Sequence, residues 1–269
     1  MDKAMAAADT AGRHRRRVSA PAVAPSGFRR RHMFILTYSL VFAAIALALA
    51  LIATGFDRRI GVAGAALFAL YLGLDDFDTA LPTALASADL LGGGWNWSGK
   101  LYSLLLAALV IYVFRLGPEA VGLTLKQRNL RASLTVLGVL VAVGVALGFA
   151  FRPGPPSLET LAFQATMPAL AEELAYRGVA PALLLGLFGR RAPPRRVPWA
   201  VVIVTALMFS LWHGLGYGRD GFSFEPVSAA FTLAGGLAYG WMRFNSGSLL
   251  LPLLAHAAGN TVFQLTGFL

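Results

Sequence analysis

Residues 33–55 and 133–151 contain no charged side chain. Each run is long enough to cross the hydrocarbon core of a bilayer, which takes about 20 apolar residues in a helix. Backbone N–H and C=O groups in hydrocarbon must be satisfied within the protein, so only helices and closed barrels can span it. Barrel strands alternate apolar and polar residues. These runs are continuously apolar, and further apolar segments follow at 60–74, 101–114, 157–188, 197–216, 226–241 and 249–266. The sequence predicts an all-α polytopic membrane protein, a bundle of seven to eight transmembrane helices.

Composition agrees. The chain is 57% hydrophobic and 13% charged, against about 25% charged in soluble domains. Its net charge of +10 comes largely from arginines that flank the apolar runs. Anionic lipid headgroups are therefore the expected partner, and nucleic acid is not. With no cysteine, disulfides, thiol catalysis and thiolate metal sites are excluded.

Residues 1–32, rich in Ala, Arg, Ser and Pro, read as a disordered basic tail in the cytoplasm. Residues 33–151 read as N-terminal transmembrane helices and 152–269 as a catalytic membrane core. The run from Met33 is too long for a signal-peptide core, so it reads as a retained anchor in the cell membrane. Segment 60–74 is either a second span or a re-entrant piece. Asp75, Asp76, Asp78 and Asp89 then read as a solvated connection, since no histidine or fixed spacing marks a metal site. Trp95 and Trp97 suit the membrane interface. If 60–74 spans, a cytoplasmic N-terminus puts the basic connections 115–131 and 190–196 outside; if not, both fall inside.

Segment 157–188 would be about 48 Å long as one helix, and Pro168 and Pro181 are expected to break or kink it. It also holds Glu172, Glu173 and Arg177. At mid-membrane such charges cost about 2.5–3.5 kcal/mol each, roughly 7–10 kcal/mol together, which all the large apolar residues of the segment barely offset. This helix belongs inside the bundle, against an internal polar cavity. Glu173 and Arg177 are four apart with the acid first, a natural ion pair on one helix face. Glu172 points about 100° away and is left for chemistry, as a general base acting on water. On this reading, losing Glu173 or Arg177 costs more stability than losing Glu172. A purely structural ion network is the competing account.

Two later segments carry histidine. His213 follows Phe209 by four residues, and His256 precedes Asn260 by four, sharing a face with it. Counted from the 190–196 connection, Glu172 and His213 lie about 27 and 25 Å along their helices. His256 lies only about 12 Å from Ser248 and matches in depth only if its helix starts deeper. The zincin motif HExxH is absent.

Glu172-Glu173 with Arg177, Phe209 with His213, and His256 with Asn260 fit, in order and spacing, the EExxxR, FxxxH and HxxxN signature of the CAAX-protease and bacteriocin-processing family, the Abi or Rce1-like group. The chain resembles that family over about residues 155–266. The resemblance implies an eight-helix membrane core with a water-filled cavity and an intramembrane endopeptidase acting on a peptide or protein substrate. It implies that Glu172 activates the attacking water, that His213 holds it, and that His256 and Asn260 stabilise the oxyanion. Glu173, Arg177 and Phe209 would support them. Cofactor use stays open: Glu172, His213 and His256 could make a three-ligand zinc site or work on water alone. Two non-enzymatic readings compete, an immunity or scaffold protein on the same fold and a proton-coupled transporter.

Overall fold

A computed structural model describes the protein from Pro25 to Leu269, with side chains from Met33 onward. Residues 1–24 of the expected tail lie outside the described residues. Among the described residues the architecture is helical, apart from one small hairpin.

Helix α1 (Pro25–Thr54) starts before Met33, so the last residues assigned to the tail are helical. A proline at the start of a helix loses nothing by lacking an N–H. Helix α2 (Val62–Ala84) packs antiparallel on α1, with Gly73 against Ala43 and Ser39 level with Asp76. It is a full-length helix, longer than the 60–74 run. The aspartates are not a solvated connection. Asp75 and Asp76 lie inside α2 and are buried. Their helical spacing with Leu72 and Thr79 turns them inward, where Ser103 donates to Asp75 at 2.6 Å and Ser39 to Asp76 at 2.6 Å. Asp89 alone of the four is exposed.

Helix α3 (Trp97–Val113) is opened by Asn96, whose side chain accepts from the Gly99 N–H at 3.0 Å. The short α4 (Pro118–Val121) sits in the basic connection before α5 (Leu130–Phe151). Then comes α6 (Leu158–Glu173), capped by Ser157. It runs through Pro168 unbroken. The interruption lies further on, where Leu174–Val179 widens into a π-helical turn before α7 (Ala180–Leu184). Pro181 follows that wide turn, where its missing N–H and its bulk against the preceding carbonyls are accommodated.

Helix α8 (Trp199–Gly214) leads into a hairpin the sequence reading did not foresee, β1 (Leu215–Gly218) antiparallel to β2 (Gly221–Phe224). Its turn needs Gly221 at φ +91°. Helices α9 (Pro226–Ser246) and α10 (Leu250–Leu265) complete the bundle. By length and composition, Met33–Thr54 and Leu130–Phe151 are long and apolar enough to cross a membrane. One hydrophobic core joins both halves of the chain, with Phe42, Phe68 and Leu72 packed together with Leu183, Val201, Met208 and Phe209.

The basic connections are laced together at one end of the bundle. Arg190 N–H donates to Arg115 O, Arg128 N–H to Ser246 O, and Leu249 N–H to Gly122 O. Because α1 and α2 are antiparallel, the start of α1 lies at the opposite end.

Candidate active site

Glu172 and Glu173 occupy the last turn of α6, immediately before the wide turn, and both are buried. The brace expected between Glu173 and Arg177 is present at 3.1 Å, with both side chains buried. Glu173 does more than pair. The same Oε1 lies 2.8 Å from His256 Nδ1. A carboxylate oxygen only accepts, so Nδ1 carries the proton and Nε2 points onward.

Nε2 of His256 stands 3.8 Å from Glu172 Oε2, and Nε2 of His213 stands 4.0 Å from the same oxygen. His213 is held in the last turn of α8, its Nδ1 2.9 Å from the Phe209 carbonyl of its own helix. A carbonyl also only accepts, so the neutral His213 ring has its Nε2 lone pair facing Glu172. The structure thus brings Glu172, His213 and His256 together from three helices. His256 reaches the same oxygen as His213 although only six residues of α10 precede it.

Phe209 anchors the shell. Its ring meets His213 edge-on at 4.4 Å and lies under the Arg177 guanidinium at 4.2 Å. Tyr239 of α9 stacks on His256 with centroids 5.3 Å apart. Asn260 lies one turn beyond His256, and its Nδ2 donates to Gln164 Oε1 of α6 at 3.0 Å.

Glu172 is not left alone for chemistry. Lys100, in the first turn of α3, places its Nζ 2.6 Å from Glu172 Oε1 and is only 3% exposed. Its ammonium also lies 4.6 Å from the centre of the Trp212 ring. Trp212 in turn donates through Nε1 to Asp76 at 2.9 Å. The apolar run in the sequence starts at Leu101 and leaves Lys100 outside it, whereas the helix starts at Trp97. The signal was Asn96, an N-cap residue whose side chain starts the helix early enough to carry Lys100 inside. Gln164 had no comparable signal.

The zinc set does not fit these residues. Lys100 already holds one oxygen of Glu172, and each glutamate is matched by one cation, Lys100 for Glu172 and Arg177 for Glu173. Among the described residues no three His, Asp or Glu groups are placed to hold a metal ion.

Fold and site define a helical protein, two of whose helices are long and apolar enough to cross a membrane, with a buried glutamate–histidine centre. Residues 154–262 match the model of the Rce1-like family, described as type II CAAX prenyl endopeptidase Rce1-like. Over that stretch, less than half of its length, the chain is similar to the CAAX-protease family. No curated protein and no solved structure matches it. The family is one of peptide hydrolases, and together with the apolar helices it marks a membrane protein.

Proposed function

We propose that the protein is an intramembrane endopeptidase that hydrolyses a peptide bond with a water activated by Glu172. The observation that carries this is the pair of gaps around Glu172 Oε2, 4.0 Å to His213 and 3.8 Å to His256. Both are too long for a direct hydrogen bond and suit one shared water. That water donates one proton towards Glu172 and the other towards the His213 Nε2 lone pair. Its oxygen is then left to attack the substrate carbonyl.

The steps follow. As the water oxygen bonds to the carbonyl carbon, its proton passes to Glu172. The oxyanion of the tetrahedral intermediate is met by His256 Nε2–H and the Asn260 amide. With Nδ1 donating to Glu173, His256 offers that donor as the imidazolium, whose counter-ion is Glu173. Collapse breaks the C–N bond, and Glu172 returns the proton to the leaving amine. The first products are a carboxylic acid and an amine, and the acid's proton then passes to the amine, leaving a carboxylate and an ammonium.

We further read α1, α2, α3, α5, the α6–α7 run, α8, α9 and α10 as eight membrane crossings. The start of α1 and the laced basic connections lie at opposite ends, so a cytoplasmic N-terminus and a cytoplasmic basic face are mutually exclusive. A single cysteine at Ala192, probed with an impermeant thiol reagent, reports the side of that face.

The test is cleavage of membrane-presented peptides, prenylated and unprenylated, by the purified chain in nanodiscs. Glu172→Gln is expected to abolish cleavage while helical content is retained. Undiminished cleavage by that variant would remove Glu172 as the base.

A further inference from the structure

We propose that Lys100 is a positioning residue of this site, its ammonium fixing Glu172 through Oε1 so that Oε2 faces the two imidazoles. The inference rests on the peptidase reading and adds to it a residue outside the family-matched stretch 154–262.

Three observations carry it. First, the contact is short and shielded: Nζ to Oε1 is 2.6 Å, with side-chain exposures of 4% and 5%. A charge-assisted bond of that length constrains the carboxylate's rotation. Second, the two oxygens of Glu172 are divided between different partners, Lys100 at Oε1 and His213 and His256 beyond Oε2. Third, Lys100 is itself held. It stands over the Trp212 ring, which Asp76 anchors through Nε1 and which neighbours His213 in sequence. The first turn of α3 and the last turn of α8 are thereby tied to the same carboxylate.

Folding alone does not call for this pair. Lysine is almost never fully buried unless paired, and well-packed apolar residues in place of a buried ion pair are often as stable or more so. A site that must hold a charged base out of bulk solvent, facing a single water, does call for it. The ammonium supplies the positive charge that a metal would otherwise bring to Glu172, without occupying the space in front of Oε2.

The experiment uses the full chain in nanodiscs, with Lys100→Ala, Lys100→Met and Lys100→Arg. A base released from its position costs about 100-fold in rate, so Lys100→Ala is expected to lower kcat by about that factor with KM nearly unchanged. Ethylammonium, which fits the vacated stem, is expected to restore at least part of kcat in proportion to its concentration. Lys100→Arg is expected to keep more activity than Lys100→Met. Wild-type kcat in Lys100→Met overturns the proposal, as does a loss that ethylammonium leaves untouched and that follows the fall in melting temperature. If the wild type cleaves nothing, the peptidase reading fails separately. The pairing is then judged by a melting-temperature cycle of Lys100→Met and Glu172→Gln, where additive effects overturn it and strong coupling supports it.

Discussion

His256 Nδ1 and Arg177 Nη1 converge on one oxygen of Glu173, at 2.8 and 3.1 Å. One buried carboxylate therefore serves two neighbours. It neutralises the guanidinium of its own helical run and sets the tautomer and direction of an imidazole on α10. The doublet Glu172-Glu173 divides the work by helix geometry: adjacent residues diverge by about 100°, so one carboxylate faces Lys100 and the other faces Arg177.

This division changes what alanine substitutions should do to stability. From the sequence, Glu172→Ala is the mild member of the set, since Glu172 has no partner there. With Lys100 at 2.6 Å, removing Glu172 takes its closest carboxylate from a buried ammonium, as removing Glu173 takes one from Arg177. Breaking a buried pair from one side costs about 3–5 kcal/mol. Glu172→Ala, Glu173→Ala and Arg177→Ala are expected to melt at similarly reduced temperatures. A Glu172→Ala protein as stable as the wild type would show that the Lys100 contact carries no weight.

The two roles of Glu173 can be separated. In Glu173→Leu with Arg177→Leu both charges leave together, and apolar replacement of a whole buried pair is often neutral. Most of the lost melting temperature is expected to return. Cleavage is not, because His256 Nδ1 has lost its acceptor and the ring its orientation. Recovery of full cleavage in the double variant would mean that Glu173 is only a brace.

The histidines should show the opposite balance. The His213 bond to the Phe209 carbonyl is worth about 1 kcal/mol net and the His256 bond to the Glu173 carboxylate about 1.5–3 kcal/mol, while general acid–base and water-holding groups contribute about 100-fold or more to rate. His213→Ala and His256→Ala are each expected to lower kcat by at least about 100-fold with small losses of melting temperature. A scaffold protein would keep its cellular phenotype with both replaced, so complementation by the double histidine variant separates the enzyme from the non-catalytic reading.

Much of the centre was legible because it departs from its surroundings. Glu172, Glu173, Arg177, His213 and His256 are polar groups in apolar runs, and their helical spacings gave the faces. Lys100 was hidden at the edge of its run, where it reads as a flanking basic residue until Asn96 is seen to cap the helix. Asp75 and Asp76 were misread for a related reason. A cluster of aspartates after an apolar stretch has the composition of a loop, and it is partners distant in sequence, among them the serines of α1 and α3 and Trp212 of α8, that make it an interior. The wide turn at Leu174–Val179 and the hairpin at Leu215–Phe224 depend on tertiary packing that local pattern does not encode.

Helix contacts made by backbone should be intolerant of even one methyl group. A Cβ on Gly64 would lie 2.8 Å from Leu184 O and 2.9 Å from Leu183 O, both main-chain atoms at the end of α7. Neither can swing aside, and overpacking of this kind costs about 1–3 kcal/mol. Gly138 on α5 has open space at the same position, and alanine is the better helix former by about 1 kcal/mol. Gly64→Ala is expected to lower the melting temperature and Gly138→Ala to leave it level or raise it. The same response from both would mean that α2 and α7 do not approach as described.

Asp76 is expected to couple the N-terminal helices to the catalytic ones. It accepts from Ser39 of α1 at 2.6 Å and from Trp212 of α8 at 2.9 Å. Asp76→Ala takes this acceptor from the half-buried Trp212 indole, at about 1–3 kcal/mol, and from Ser39, which keeps the Ile35 carbonyl. It also frees the indole that sits beside Lys100 and next to His213. Asp76→Asn keeps the size and one acceptor oxygen, so it should retain the Trp212 bond more readily than the alanine variant. The expected order of melting temperature and of kcat is therefore wild type, then Asp76→Asn, then Asp76→Ala. A kcat that holds steady across all three while melting temperature falls would confine Asp76 to folding and leave Trp212 without a part in placing the site.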